Sequence, residues 1–534
     1  MIQQHRTPTS RLRPTNSPSC RRFFVFLALA AGGVTSAPAQ KMVWTAQYNN
    51  DRTGANVYET TLTTSNVNSK QFGLLFSRQV DGVIYAQPLF VPAVTIGVST
   101  SNVVYVATMN NSVYAFDADN PSNSVPLWRV NFGAPLQIPP GEVYLGNQIG
   151  IMGTPVIDAA TGTMYVVALT VAGGLNTYSL HALDITNGQE KFNGPVVIQG
   201  SVPGTASDGR NGLLAFLAGN VLQRPALTLY QSNVLVAFGA LSDSYFYHGW
   251  IISYNLTTLK QASIVCTTPN GSKGGVWMSG VGIATDTKGI YFIVGDGSTG
   301  MGNIASSVVR LQGGTSDYFV PANYHTLNVN DWDLNAGGPM LLPNTNLLLA
   351  GGKTGALFLL NRSNLGGLVT GNTQVVQTWQ ATAGCGSTKF DGCDEIHHYA
   401  YWPNAPEHPR LYLWAWNETL KAFNFNGATF DTKPVAQNAA ISNYPGGQLA
   451  VSSNGSKAGT GIVWAAMSTE DSSVGAVPGM LRAFDAVSLT ELWNSNMNPA
   501  DNAGLLAKFC LPTVTNGKVY LATFSNELNV YGLR

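Results

Sequence analysis

One unit recurs along this chain. It is an x-Pro-apolar strand, an aromatic-rich strand of the form Val-Tyr-Val-Ala-Thr, then a strand ending in a small residue, an aromatic residue or Leu, and Asp. The first copy runs through Gln87-Pro88-Leu89, Val104-Tyr105-Val106-Ala107-Thr108 and Val113-Tyr114-Ala115-Phe116-Asp117, and closes on Leu127-Trp128. Further copies are carried by residues 154–184, 224–255, 289–294, 347–361, 411–423, 462–485 and 511–531. Eight units roughly 45 to 70 residues apart give the period of a β-propeller, in which each repeat is one blade and none can bury its faces alone. The expected fold is therefore all-β, an eight-bladed propeller.

The last unit ends before its fourth strand. Leu74-Leu75-Phe76-Ser77-Arg78-Gln79-Val80 has the right pattern ahead of the first unit. It is expected to complete the eighth blade, which would close the ring and remove exposed sheet edges. The Tyr, Trp and Phe residues at repeat positions are then expected to pack between blades.

Length alone would suggest several domains, but the repeat makes residues 40–534 a single one. Residues 1–39 read as a signal peptide: Arg21-Arg22, an apolar run of about a dozen residues, then Ala37-Pro38-Ala39 as a small-x-small cleavage site. The arginine pair also faintly resembles a twin-arginine signal. No later segment is apolar enough for a transmembrane helix. The mature chain is expected to be a monomer in the periplasm or outside the cell. Lys+Arg and Asp+Glu balance at 28 each, so no net field draws a polyanion, and nucleic acid is excluded as a partner. Export permits disulfides. Of the mature cysteines, Cys385 and Cys393 bracket a short loop and form the expected pair, Cys266 and Cys510 remaining.

The repeat resembles that of the pyrroloquinoline quinone (PQQ) propeller family over nearly all of residues 44–534. It also looks like an exported subgroup without established activity, through Asn49-Asn50-Asp51-Arg52-Thr53-Gly54-Ala55-Asn56, Gly274-Gly275-Val276-Trp277-Met278-Ser279-Gly280 and Lys508-Phe509-Cys510-Leu511-Pro512-Thr513-Val514. In the dehydrogenases of this fold, PQQ lies on the axis over a Trp, beside Ca²⁺, a basic residue and a catalytic Asp. By that resemblance Trp277 would be the floor, Asp296 the metal ligand where the family has Asn, Asp331 and Asp333 the Trp-Asp segment with Asp333 as base, and Lys353 the residue at the quinone carbonyls. The chain departs from that pattern: no two cysteines are adjacent, the second blade offers no convincing Glu ligand, and no Cys-x-x-Cys-His haem motif is present.

Two functions of different class follow. The first is a binding or scaffold propeller that takes a polymer, glycan or protein partner at its axis. The alternative is a PQQ- and Ca²⁺-dependent dehydrogenase acting on an alcohol or sugar. A third reading, a lyase or hydrolase, would use His397 or His398, in a ligand-rich stretch with Asp394, Glu395 and His408. No Gly-x-Ser-x-Gly elbow, His-Glu-x-x-His helix or Walker loop is present.

Overall fold

Antiparallel strands joined by tight turns build the molecule, and the computed structural model describes residues 41–138, 147–243, 246–386, 393–473 and 475–534. The expected signal peptide lies outside the described residues. In the first blade, Leu89–Ile96, Ser99–Ala107, Ser112–Asp117 and Trp128–Asn131 pair in that order. Seven further sheets repeat the arrangement, so the molecule is the eight-bladed propeller that the repeat implies. Strands such as Gly289–Val294 and Ile462–Ser468 are buried along their whole length, because each blade is covered by a neighbour on both faces.

The eighth blade closes as expected. Phe72–Gln79 runs antiparallel to Glu527–Leu533, with Leu74 opposite Tyr531 and Arg78 opposite Leu528. Within the repeat, the aromatic strand and the terminal Asp prove to be two halves of one clamp. The Asp, or Asn255 in the third blade, folds the next turn onto itself: Asp184 Oδ1 accepts from Thr186 N, Asn255 Oδ1 from Thr257 N and Thr258 N, and Asp485 Oδ1 from Val487 N and Ser488 N. The carbonyl just past that residue is thereby presented to the preceding blade, whose tyrosine donates to it. Tyr105 reaches Ile185 O at 2.9 Å, Tyr165 reaches Leu256 O at 2.7 Å and Tyr412 reaches Ala486 O at 2.7 Å. Trp128 adds a second donor to Ile185 O at 2.9 Å.

The stretch of residues 43–56 crosses one mouth of the ring and bonds to every blade. Val43 exchanges backbone hydrogen bonds with Phe90, Trp44 O accepts from Ile157 N, and Asn50 Nδ2 donates to Leu229 O while Asn50 O accepts from Thr285 N. Asp51, Thr53 and Gly54 carbonyls accept from Leu341, Tyr401 and Val451. The Tyr48 hydroxyl bridges Pro512 O and Val514 N of the last blade. Arg52 lies beneath this turn, 1% exposed, donating to Ile283 O, Thr45 Oγ1, Ala46 O and Thr228 Oγ1. One end of the central channel is therefore plugged by the chain itself.

Cys385 and Cys393 form a disulfide, with Cα atoms 3.9 Å apart, while Cys266 and Cys510 are free and buried. Among the described residues no helix is long and apolar enough to cross a membrane.

Candidate functional site

A cavity of about 540 Å³ receives residues from all eight blades. Tyr85, Met152, Arg224, Trp277, Lys353, His397, Tyr444 and Phe509 each come from a different one, and only the axis is within reach of them all. Its size is that of a small-molecule site.

Trp277, Asp296, Asp331, Asp333 and Lys353, singled out above from separate motifs, all line this cavity. Local backbone places them. Gly274 takes φ +72° and donates its N–H to Asp296 O at 2.7 Å, which ties the Trp277 segment to the end of strand Gly289–Val294. Beyond Trp277 the chain turns through Met278 and Ser279 at φ 51° and 45°, a left-handed conformation costly for such residues. Asn335 Nδ2, donating to Gly275 O at 2.9 Å, and Ser279 Oγ, donating to Ala336 O, lock that turn to the next segment. Asp331 ends helix Tyr324–Asn330 at φ 58°, and Asp333 opens the short turn after it.

The charges of this wall are paired with one another. Lys353 Nζ contacts Asp333 Oδ2 at 2.7 Å, Asp331 O at 2.8 Å and Asp331 Oδ2 at 3.1 Å, so its three donors all have acceptors. Lys273 Nζ sits 2.8 Å from Asp296 Oδ2. Burial raises the Asp296 carboxyl above its usual range, the Asp333 charge adds to this, and Lys273 opposes it. Asp331 is raised by burial and then by Asp333, against Lys353. Burial works against the Lys353 ammonium, yet the charges of Asp333, Asp331 and Glu395 raise its pKa well above the ordinary value.

The residues present do not fit the cofactors of the dehydrogenases. Calcium takes about six to eight oxygens. Here Asp296 carries an ammonium, and among the described residues no group of three or more His, Cys, Asp or Glu side chains is placed to hold a metal ion. The second blade's Glu190 is spent on His181 Nδ1 at 2.5 Å. Lys353 has no N–H left for a quinone carbonyl. Lys353 pairs with the loop carboxylates Asp331 and Asp333, and Arg362 with Asp286 at 2.9 Å, while Trp277 faces the cavity.

Phe509 forms the hub of the site. Its ring lies 5.0 Å from Trp277, 5.0 Å from His397 and 6.4 Å from Tyr444, and its carbonyl accepts from Arg224 Nη2 at 3.2 Å. Contacts from four other blades put this one ring at the axis. It is held there at φ 58°, which a bulky residue rarely adopts. Sequence reasoning did not single out Phe509, Arg224 or Lys508 as site residues.

The histidines divide. His397 lines the cavity, but Nε2 faces Glu395 Oε2 at 3.1 Å and Nδ1 faces Pro445 O at 3.1 Å, so neither nitrogen is free. Burial would raise the Glu395 carboxyl, but the His397 hydrogen bond and charge, and then Lys353, bring it below its ordinary value. His398 is sealed away and its pKa is pushed down to about 3, by burial first and then by His397 and Arg224. His408 lies along a separate surface pocket with Pro409 and Phe425. The cluster suggested by the sequence does not converge.

No protein-family model matches the chain, and no curated protein sequence matches it. Solved structures do. A quinohemoprotein alcohol dehydrogenase of Pseudomonas putida HK5 is 12% identical, with a TM-score of 0.59 over 92% of this chain and 80% of that one. The quinohemoprotein alcohol dehydrogenase of Comamonas testosteroni is 12% identical, with a TM-score of 0.56 over the same shares. A europium-containing methanol dehydrogenase is 12% identical, with a TM-score of 0.59 over 92% of this chain and 98% of that one. These likenesses show the fold.

Proposed function

We propose that this chain is an exported binding propeller that holds a hydroxylated ligand, a glycan or the end of one, in its axial cavity without redox chemistry. One observation carries the reading: the polar wall is paired within itself, Lys353 to Asp331 and Asp333 and Lys273 to Asp296. Such pairs present fixed carboxylate acceptors to sugar hydroxyls and need no metal to balance them. Trp277 and Phe509, whose ring planes meet at 82°, supply an apolar corner against which a pyranose face packs. The disulfide and the want of a membrane-spanning helix among the described residues are compatible with export.

The second reading, a quinone-dependent dehydrogenase, is favoured by the convergence of Trp277, Asp296, Asp331, Asp333 and Lys353 on one cavity. The engaged Lys353 and the capped Asp296 weigh against it. Adding PQQ with Ca²⁺ to the mature chain, alongside neutral oligosaccharides, and following intrinsic Trp fluorescence and dye reduction separates the two. Saccharide binding without dye reduction supports the binding module. Saturable PQQ binding with substrate-dependent dye reduction supports the enzyme.

A further inference from the structure

Against the paired wall stand two cations that form no ion pair among the described residues. Arg224 and Lys508 both line the cavity and are each 2% exposed. Neither makes an ion pair with a carboxylate among the described residues. Arg224 Nη2 donates to Phe509 O, while buried Nη1 has no partner, and the guanidinium lies 5.4 Å from the Tyr85 ring and 5.9 Å from the Phe509 ring. Lys508 Nζ has the Tyr444 ring at 5.7 Å. Aromatic faces offset only part of the cost of taking a cation out of water.

The effect is visible in both groups. Burial pushes Arg224 down to about 10, against Tyr85 and Cys510, and burial pushes Lys508 down to about 8, against Asp471. A chain that only needed to fill this space would place apolar residues here, since two unneutralised buried cations destabilise it. The surrounding backbone accommodates them at further cost: Phe509, between the two cations, is in the left-handed region. Gly280, at φ +83°, packs so closely on Arg224 that any Cβ there would collide with the guanidinium.

We infer that Arg224 and Lys508 form an anion subsite at the axis and that the ligand is an acidic sugar, whose carboxylate sits at Lys508 within the field of Arg224 while its hydroxyls meet the Asp–Lys wall. This rests on the glycan reading of the cavity. Lys508 supplies the direct charge-assisted hydrogen bond, and Arg224, whose donors point partly into protein, supplies charge. A uronic acid satisfies both walls at once, whereas a neutral hexose leaves the cations as they are.

The test is calorimetric titration of the mature chain with galacturonate and glucuronate oligomers, with the matching neutral galactose and glucose oligomers, and with inorganic phosphate. The expected result is at least about tenfold tighter binding of the acidic member of each pair. That ratio should fall to about one in Lys508→Met and persist in Lys508→Arg. Lys508→Met removes a buried charge and should fold; circular dichroism and the unfolding midpoint check this. Equal affinity for acidic and neutral oligomers, or a ratio untouched by Lys508→Met, overturns the anion subsite and leaves the glycan reading standing. Phosphate binding without uronate binding makes the cations a site for another acid and overturns the acidic sugar. Binding of no saccharide at all overturns the glycan reading, and this inference with it.

Discussion

Replacing Lys353 by Met should expose how the polar wall is held together. The ammonium is about four-fifths buried and neutralises Asp333, equally buried, at 2.7 Å; Asp331 is 60% exposed and counts for less because water screens it. Removing one partner of a buried pair costs about 3–5 kcal/mol. Partial exposure puts this pair at the lower end, about 3 kcal/mol at pH 7. Spread over a chain of this length, whose unfolding entropy is about 2.1 cal/mol/K per residue, that is roughly a 3 °C fall in Tm. Asp331 and Asp296 already have raised pKa values. Without the ammonium that opposes burial and the Asp333 charge, Asp331 holds a proton still more readily in the folded state than in the unfolded one. The folded variant then binds more protons than its unfolded chain, so its stability rises as pH falls and its deficit against wild type narrows toward pH 4. Lys353→Met/Asp333→Asn should recover much of the loss at pH 7. The assay is urea unfolding at pH 4.5 and pH 7 for wild type, both single variants and the double. A deficit under about 1 kcal/mol, a deficit that widens toward acid, or strictly additive single effects would refute the reasoning.

Arg52→Met should cost at least about 2 kcal/mol in urea unfolding, because two carbonyls and two hydroxyls lose a buried donor, each group left unsatisfied costing about 1–3 kcal/mol. Binding of an acidic ligand should weaken as pH rises through about 8, where Lys508 loses its proton; a titration series from pH 6 to pH 10 should show this for uronates and not for neutral sugars. The folded Lys508 pKa is depressed, so its charge opposes folding below that pH, and Lys508→Met should be at least as stable as wild type at pH 6. Cys385→Ser/Cys393→Ser should lose up to about 2.5 kcal/mol, the closure entropy of a loop this short, as read by urea unfolding, with ligand affinity unchanged.

The propeller was legible because its determinants are local and repeated. The Tyr of the second strand and the Asp or Asn that ends the third recur from unit to unit, and the structure shows a reason: the Tyr105, Tyr165 and Tyr412 hydroxyls each donate to the carbonyl that the next blade's Asp or Asn turn presents. Closure by the strand at Leu74 was legible for the same reason, a missing strand at one end and a spare one at the other. The placement of Trp277, Asp296, Asp331, Asp333 and Lys353 on one cavity followed from family-like motifs, but their partners did not. Lys273, which caps Asp296, lies in a turn that carries no repeat signal.

The axial hub was not legible, because it joins segments distant in sequence. Arg224 and Phe509 are 285 residues apart, and Tyr48 reaches across 464 residues to Pro512. A faint signal existed for one of them. The residue before Pro in the repeat is Gln87 and Thr154 in the first two units, and both are uncharged and bond between blades; Arg224 in the third breaks that pattern with a buried charge. The turn over residues 43–56 gave no periodic cue, since it meets the blades in turn through a mixture of backbone and side-chain bonds and its side chains follow neither a strand nor a helix period.

The most direct test is calorimetric titration of the mature wild-type chain and of Trp277→Ala with a panel of neutral and acidic oligosaccharides, with PQQ plus Ca²⁺ as a separate arm. Saturable saccharide binding at one site per chain, lost or weakened at least tenfold in Trp277→Ala and accompanied by no dye reduction, is the predicted result. Saturable PQQ binding with substrate-dependent dye reduction, and no saccharide bound in its absence, would contradict the account and make this propeller a dehydrogenase.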